Sequence, residues 1–332
     1  MKKIDVYGVC NPLIDLLCHI PDEFLQQWDL EKNRMYLVST DRQHSILKEL
    51  ENRSLKIEHA AGGSGANTMI GIAQLGGHSA FTGKIGFDPR GDQYRNDLED
   101  KGVKAALGAG EGMTGSSLIL VSNDGSRTMN THLGMCQELE PDDIDEKVLS
   151  STNILYLTGF LWDTESQKAS VRHALEMAEN LPVKVALSLS DPFCVERHHQ
   201  DFNELIRSRV DLLFCNQEEA FTMMETQVTQ EALAGLSENV ETVVMTLGNR
   251  GSLICNQGQI YYIDPIEVEV VDTTGAGDAY AAGFLYGFSH DQSIMNCGRI
   301  ASVMAGTVIE QIGPRIETAS MKTLKERLTN IP

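Results

Sequence analysis

Short runs of apolar and β-branched residues recur along the chain and predict the strands of a sheet. Several of them, such as NILYLT and VDLLF, are apolar at consecutive positions. That pattern is typical of parallel strands that helices cover on both faces. The runs occupy residues 3–9, 78–83, 116–121, 153–158, 183–188, 210–214 and 242–247.

Helical patterns separate many of these runs. The segment SQKASVRHALEMAEN, residues 166–180, repeats apolar residues with the period of an amphipathic helix. Because the alternation of strand and helix continues along the whole chain, it predicts one α/β unit over residues 1–332, with a mostly parallel sheet between two layers of helices. Further helices are predicted at 90–102, 279–288 and 292–310.

Two stretches, residues 11–40 and 114–133, depart from this alternation. The first carries short apolar runs that are separated by a polar loop. In the second, Asn-Asp-Gly joins two strand-like runs, and glycine supplies the positive φ that such a turn needs. The two stretches predict a small accessory sheet packed at one edge of the main sheet.

The charge balance narrows the range of partners. The chain has 27 Lys and Arg residues against 47 Asp and Glu residues, a formal net charge of −20. A nucleic-acid binder needs a cationic face that neutralises phosphates, and an anionic membrane surface would repel this protein. We therefore expect small-molecule partners, with no nucleic acid and no membrane.

Cysteine spacing and the N-terminal pattern indicate a compartment. The seven cysteines are scattered and form no CxxC pair, which is typical of reduced thiols in a cytoplasmic protein. The N-terminal region has no unbroken apolar run of roughly 7–15 residues, as a signal peptide would need. No run approaches the roughly 20 apolar residues of a membrane span. We expect a cytoplasmic protein.

The strongest chemical signal is VVDTTGAGDAYAAGFLYGF, residues 270–288. A strand end runs into Gly275, Ala276 and Gly277, and a helix is predicted to begin near Asp278. Backbone N–H groups and a helix N-terminus that converge there form an anion site suited to a transferring phosphoryl group. An ionised Asp278 beside that site fits a general base for an attacking hydroxyl. The alternative is that Asp278 only caps its helix.

Two further motifs follow predicted strands. Thr246, Gly248 and Gly251 lie in TLGNRG, a turn that can hold nucleotide phosphates or ribose, or that is simply a hairpin turn. Asn216 and Glu219 lie at a predicted helix start, where their oxygens can face a Mg²⁺ shell through water. The alternative for this pair is a capping box.

A third motif is AAGGSGANTMIGIAQL, residues 60–75. Gly62 and Gly63 permit close backbone approach to a ligand, and the Asn67 amide can donate to and accept from hydroxyl groups. The alternative is a loop that enters an amphipathic helix.

Together these motifs resemble the ribokinase (phosphofructokinase-B type) family of carbohydrate and nucleoside kinases. DTTGAGD at 272–278 matches its carboxy-terminal signature, and GGSGAN at 62–67 matches its amino-terminal signature. Asn-x-x-Glu at 216–219 and TLGNRG at 246–251 match its other two motifs in order and spacing. The resemblance covers essentially the whole chain. It implies a three-layer α/β fold whose small accessory sheet, within 11–40 and 114–133, is a lid.

The resemblance also implies roles for residues. Asp278 would be the catalytic base for a primary hydroxyl, with ATP as the co-substrate. Gly275, Ala276 and Gly277 would form the anion hole. Mg²⁺ would be organised by Asn216 and Glu219. Positions that hold a monovalent cation in some members are matched by Asp272 and Thr274, which adds K⁺ activation to the predictions. The predicted nucleotide-binding residues are Asn216, Thr246, Gly248 and Gly251, and the predicted substrate-binding residues are Asn11, Asp15, Gly62, Gly63 and Asn67.

Several phrases, including CNPLID, AGGSGAN and LLFCNQEEA, look more like adenosine kinases than sugar kinases. The position of the purine-stacking aromatic holds Leu161, with Phe160 and Trp162 on either side, and either neighbour could take the stacking role. We predict Trp162 as a substrate-binding residue, and the alternative is that it anchors the lid or the core. The leading hypothesis is a kinase that phosphorylates a ribose-type primary hydroxyl, adenosine first, as a monomer or homodimer.

Three alternatives stay open. One is a sugar kinase of the same family that acts on ribose, fructose or a sugar phosphate. Another is a nucleoside-binding sensor without turnover. The third is a dinucleotide-dependent oxidoreductase, which would need G-x-G-x-x-G after the first strand, where this chain has Val9-Cys10-Asn11-Pro12.

Overall fold

The structure of the protein is a computed structural model that describes residues 3–32 and 34–331. The predicted strands are present with small shifts at their ends. The strands are β1 (Ile4–Val9), β2 (Leu13–His19), β3 (Met35–Leu37), β4 (Ile57–Gly62), β5 (Ser79–Thr82), β6 (Lys84–Gly86), β7 (Lys104–Ala105), β8 (Gly108–Gly110), β9 (Gly115–Val121), β10 (Arg127–His132), β11 (Thr152–Thr158), β12 (Lys184–Ser188), β13 (Leu212–Asn216), β14 (Thr242–Thr246), β15 (Ser252–Asn256) and β16 (Gln259–Ile263).

Helices lie between most of these strands and also follow the last of them. No helix within the described ranges is long and apolar enough to cross a bilayer. The helices are α1 (Asp22–Gln27), α2 (Thr40–Asn52), α3 (Ser64–Gln74), α4 (Pro89–Asp100), α5 (Glu146–Leu149), α6 (Glu165–Glu179), α7 (Pro192–Arg197), α8 (His199–Ser208), α9 (Gln217–Met224), α10 (Thr229–Ser237), α11 (Ala276–Ser289), α12 (Ile294–Val308) and α13 (Met321–Thr329).

The main sheet has nine strands in the order β16-β15-β14-β13-β12-β11-β1-β5-β7. Neighbouring strands are parallel from β7 to β14, and β15 and β16 add an antiparallel edge. Along β11, Ile154 and Tyr156 join one hydrophobic cluster, and Leu155 and Leu157 join the other. A strand that is buried on both faces in this way confirms the predicted α/β class.

The second sheet has five strands in the order β3-β10-β9-β2-β4. It takes strands from both stretches that break the alternation, and it adds β4, which the sequence pattern does not predict. On one face, α2 covers the sheet, since Gln43 Nε2 donates to the carbonyls of Ser116 (3.1 Å) and Asn130 (2.9 Å). Because side chains alternate along a strand, Ile119 and Met129 face the opposite side, toward a cavity.

Candidate active site

The loop before α11 needs glycine at its last position. Gly275 caps the helix with a φ of 76°, and a Cβ there would lie 2.5 Å from the carbonyl oxygen of Pro314. The first helical hydrogen bond runs from the Ala279 N–H to the Gly275 carbonyl, at 2.8 Å. The N–H groups of Gly277 and Asp278 precede that bond, as the unpaired donors at a helix N-terminus do. The loop therefore presents donors and a helix dipole to an anion.

The Asp278 carboxylate is held between two helix N-termini. Ser64 Oγ donates to its Oδ1 at 2.6 Å, and Asn67 Nδ2 donates to its Oδ2 at 3.0 Å. Both donors belong to α3, whose cap Gly63 has a φ of 94° and would clash with the Asn11 carbonyl if it carried a Cβ. Ser64 is a site residue that the sequence analysis missed, although it lies inside the amino-terminal signature.

Burial controls the protonation of Asp278. It raises the pKa of this carboxyl to about 6, against the lowering effect of the hydrogen bonds from Ser64 and Asn67 and of the Arg315 charge. The carboxylate is therefore mostly ionised at neutral pH, and it is basic enough to accept a proton from a hydroxyl group.

Two cavities meet at Asp278 and Ser64. The apolar pocket, about 180 Å³, is walled by the second sheet and by Phe160. The glycine-loop pocket, about 260 Å³, lies over the start of α11. The predicted residues that line the apolar pocket are Asn11, Asp15, Gly63, Asn67 and Thr274. Those that line the glycine-loop pocket are Asn216, Glu219, Thr246, Gly275, Ala276 and Gly277.

Asp15 brings a second carboxylate to the apolar pocket. Burial raises its pKa to about 7, the charges of Arg315 and Arg127 lower it, and the charge of Asp278 raises it again. Among the described residues, none donates a hydrogen bond to the Asp15 carboxylate. Gly62 lies beneath the Asp15 carboxylate, since a Cβ on Gly62 would be 2.2 Å from Asp15 Oδ2. Gly62 does not line the apolar pocket, and its lack of a side chain leaves room for Asp15.

The placement of Trp162 corrects one prediction. Its ring packs edge-on against Phe202 at 5.1 Å between centroids, inside a hydrophobic cluster, and it does not line the apolar pocket. Phe160 lines the pocket instead. Both belong to the 3₁₀ turn Gly159–Trp162, where residues two positions apart point to different sides.

Gly248 and Gly251 form the turn after β14 with φ angles of 63° and 81°. A Cβ on Gly251 would lie 2.0 Å from the Ile263 carbonyl oxygen, so a glycine is needed here to let the end of β16 pack closely against this turn. Neither glycine lines the glycine-loop pocket, whereas Thr246 does.

Asn216 and Glu219 form a capping box, which is the alternative interpretation of this motif. The Asn216 N–H donates to Glu219 Oε2 at 3.0 Å, Asn216 Nδ2 donates to Oε1 at 2.7 Å, and the Glu219 N–H donates to Asn216 Oδ1 at 2.8 Å. Burial raises the pKa of Glu219 to about 7.

This pair also fits a water-mediated Mg²⁺ site, because a carboxylate oxygen that accepts one hydrogen bond can accept another from a metal-bound water. In the part of the chain that the structure describes, no three His, Cys, Asp or Glu side chains cluster as direct metal ligands. The pair would therefore hold the ion through its hydration shell.

The residues around Asp272 do not fit a monovalent cation. Arg127 Nη2 forms an ion pair with Asp272 Oδ2, the Gly313 N–H donates to the same oxygen at 2.7 Å, and the Thr274 N–H donates to Oδ1 at 3.0 Å. Burial would raise the pKa of Asp272, but these donors outweigh it and hold the pKa below its usual value. The Arg127 guanidinium already supplies the positive charge that this carboxylate would offer to K⁺.

Arg127 and Arg315 are the cationic residues that sequence reasoning missed. Arg315 Nε donates to Asn67 Oδ1 at 2.9 Å, and its Nη1 donates to Asp97 Oδ2 at 2.6 Å. This contact orients the Asn67 amide so that its nitrogen faces Asp278. Neither arginine lies in a motif, and each reaches the site only through the fold.

A comparison with protein families settles the class of this chain. The model described as pfkB family carbohydrate kinase matches residues 31–320. The chain belongs to this family. It is accordingly an ATP-dependent kinase with a ribokinase-like α/β fold, and its relatives include both nucleoside and sugar kinases.

The solved structure of adenosine kinase from Sinorhizobium meliloti is similar, with 36% identity, a TM-score of 0.90, and coverage of 98% of this chain and 99% of that one. A probable sugar kinase from Rhizobium etli is equally similar, with 35% identity, a TM-score of 0.90 and the same coverage. The adenosine kinase of Dictyostelium discoideum is 25% identical over an alignment of 347 positions, which covers 97% of this chain and 99% of that protein. These pfkB-family relatives leave the acceptor open between nucleosides and sugars.

Proposed function

We propose that this kinase transfers the γ-phosphate of ATP to the primary hydroxyl of a ribose-containing nucleoside, with adenosine as the first acceptor. The observation that carries the proposal is that Asp278 lines both pockets. A carboxylate in that position can take the proton of an acceptor in one pocket while the phosphates of ATP occupy the other.

The glycine-loop pocket would hold the phosphates. The N–H groups around Gly277 and the dipole of α11 would stabilise the negative charge on the phosphoryl group during its transfer. When Mg²⁺ is bound, the chemistry that it supplies is neutralisation of the phosphate oxygens, and Asn216 and Glu219 would hold it through water. Thr246 would contact the nucleotide from the neighbouring strand end.

Asp278 would act on the acceptor hydroxyl. Its carboxylate accepts the hydroxyl proton as the oxygen forms a bond to the γ-phosphorus, the bond to the bridging oxygen breaks, and ADP leaves. Ser64 and Asn67 hold the carboxylate in place through the two hydrogen bonds described above. Because they already occupy one lone pair on each oxygen, the second lone pairs remain for the substrate.

The apolar pocket would hold the nucleoside. Asp15, Gly63 and Asn67 would bind the ribose hydroxyls near Asp278, and the base would lie against Phe160. The five-stranded sheet would act as a lid, since Ile119 and Met129 on its inner face supply apolar walls. Such walls favour an acceptor with a planar apolar group over a free sugar, whose hydroxyls would lose hydrogen bonds with water there.

ADP release with Mg·ATP and a panel of acceptors tests the proposal. The panel is adenosine, inosine, cytidine, ribose, fructose and fructose 6-phosphate. We expect adenosine to give the highest kcat/KM and a product phosphorylated on the primary hydroxyl. Activity on a sugar with none on any nucleoside would replace the proposal by the sugar-kinase alternative. Acceptor binding without ADP release would favour the sensor.

A further inference from the structure

Asp163 is a third carboxylate on the apolar pocket, and the mechanism above does not use it. Its side chain is 6% exposed and lines the pocket together with Phe160. Arg197 Nη2 and His198 Nε2 donate to the same oxygen, Oδ1, at 3.1 and 3.2 Å. Among the described residues neither Arg197 nor His198 bonds to the other oxygen, Oδ2, which stays available as an acceptor.

The backbone places Asp163 on the same side as Phe160. Phe160 lies in the 3₁₀ turn Gly159–Trp162, and Asp163 is the residue that ends it. In a 3₁₀ helix the side chains of residues i and i+3 eclipse each other. A planar group that packs on the Phe160 ring therefore has its edge near the Asp163 carboxylate.

The charges behind Asp163 suit a permanent acceptor. A carboxylate that is paired with a guanidinium accepts hydrogen bonds and has no hydrogen to donate. The Arg197 guanidinium supplies the cation from α7, and Arg197 is not among the residues that line the apolar pocket. A group on the ligand that meets Oδ2 must therefore be a donor, such as an N–H.

We propose that Asp163 is a specificity-determining residue that accepts a hydrogen bond from an N–H group on the base of the acceptor. The exocyclic amine of adenosine is such a donor, whereas a carbonyl oxygen at the same position would face a carboxylate and be disfavoured. This inference rests on the proposed function, because it requires a nucleoside in the apolar pocket.

A comparison of acceptors in two variants tests it. Adenosine, inosine and purine riboside, which lacks the amine, are compared by kcat/KM in the wild type and in Asp163→Asn. In the variant, Arg197 and His198 still require an oxygen, so the amide nitrogen of Asn would face the pocket and donate instead of accepting. Glu165→Gln is the matched control, since that carboxylate is nearby but 82% exposed and pairs with Lys168.

We expect the wild type to prefer adenosine over purine riboside by on the order of 10- to 100-fold, the usual range for a hydrogen bond to a charged group. Asp163→Asn should remove that preference and raise the turnover of inosine relative to adenosine, and Glu165→Gln should leave both ratios unchanged. The ratios do not depend on how much of the variant is folded, because both acceptors meet the same preparation.

Three outcomes would overturn the inference. If the wild type accepts nucleosides but does not prefer adenosine over purine riboside, the inference is wrong and the proposed function stands, even if Asp163→Asn fails to fold. If the two acceptor ratios are the same in Asp163→Asn as in the wild type, the inference is also wrong. A wild type that rejects all three nucleosides overturns the proposed function and the inference together.

Discussion

Arg127 on β10 and Asp272 before the glycine loop form an ion pair that joins the five-stranded sheet to the start of α11. The side chains of Arg127 and Asp272 are 18% and 9% exposed, so salt screens the pair little. Through this pair, the wall of the apolar pocket is coupled to the loop that would bind the phosphates.

The ion pair predicts that turnover does not depend on K⁺. Because Arg127 already neutralises Asp272, kcat should be the same in potassium chloride and in tetramethylammonium chloride at equal ionic strength. Arg127→Gln frees the carboxylate and should lower kcat in tetramethylammonium chloride, with partial recovery in K⁺. Arg34→Gln, an exposed arginine that pairs with Glu31, is the control. Strong stimulation of the wild type by K⁺ would contradict this reading of Asp272.

A Mg²⁺ titration separates the two readings of Glu219. Glu219→Gln keeps an oxygen that can accept from the Asn216 N–H but removes the charge, so the cap should survive. We expect the Mg²⁺ concentration for half-maximal turnover to rise by about 10-fold, as is usual when a residue that orients a metal shell is lost. Glu218→Gln, the exposed neighbour, should leave it unchanged. An unchanged titration in Glu219→Gln would reduce this residue to a helix cap.

The seven predicted strands could be found from the sequence because burial on both faces makes most residues of a run such as TNILYLT apolar. The glycine loop was predictable for a similar reason, since Gly275 needs a backbone conformation that few other residues adopt. The second sheet was predictable in outline, but β4 was not, because its sequence IEHAAG carries no strand period.

Other parts of the site depend on tertiary contacts that local sequence does not encode. Arg127 reaches Asp272 across 145 positions of the chain, and Arg315 reaches Asn67 across 248. The choice between Phe160 and Trp162 depended on a 3₁₀ turn that has no period in the sequence. At these places the fold, and not the local pattern, decides which side chains come together in and around the site.

Asp15 predicts a change of stability with pH. Its pKa rises from the usual 3.8 to about 7 in the folded protein, so the folded state holds this proton more tightly than the unfolded state. The free energy of unfolding should therefore fall, through this group, as pH rises from about 3.8 to about 7. Asp15→Asn lacks this loss, so its Tm relative to the wild type should increase between pH 5 and pH 8.

Thermal unfolding without ligands measures this difference, with Glu176→Gln on the exposed face of α6 as the control. Asp15→Asn should also raise the KM for the acceptor, because an amide is a weaker acceptor than a carboxylate for sugar hydroxyls. A Tm difference that is constant with pH would mean that Asp15 is not held at a raised pKa.

The turnover of Asp278→Asn tests the central claim most directly. The substitution keeps the size of the side chain but removes the base between the two pockets. At saturating Mg·ATP and adenosine, we predict that kcat falls at least about 100-fold, while calorimetry shows ATP binding close to that of the wild type. A variant that binds ATP and retains turnover near that of the wild type would contradict the assignment of Asp278 as the base.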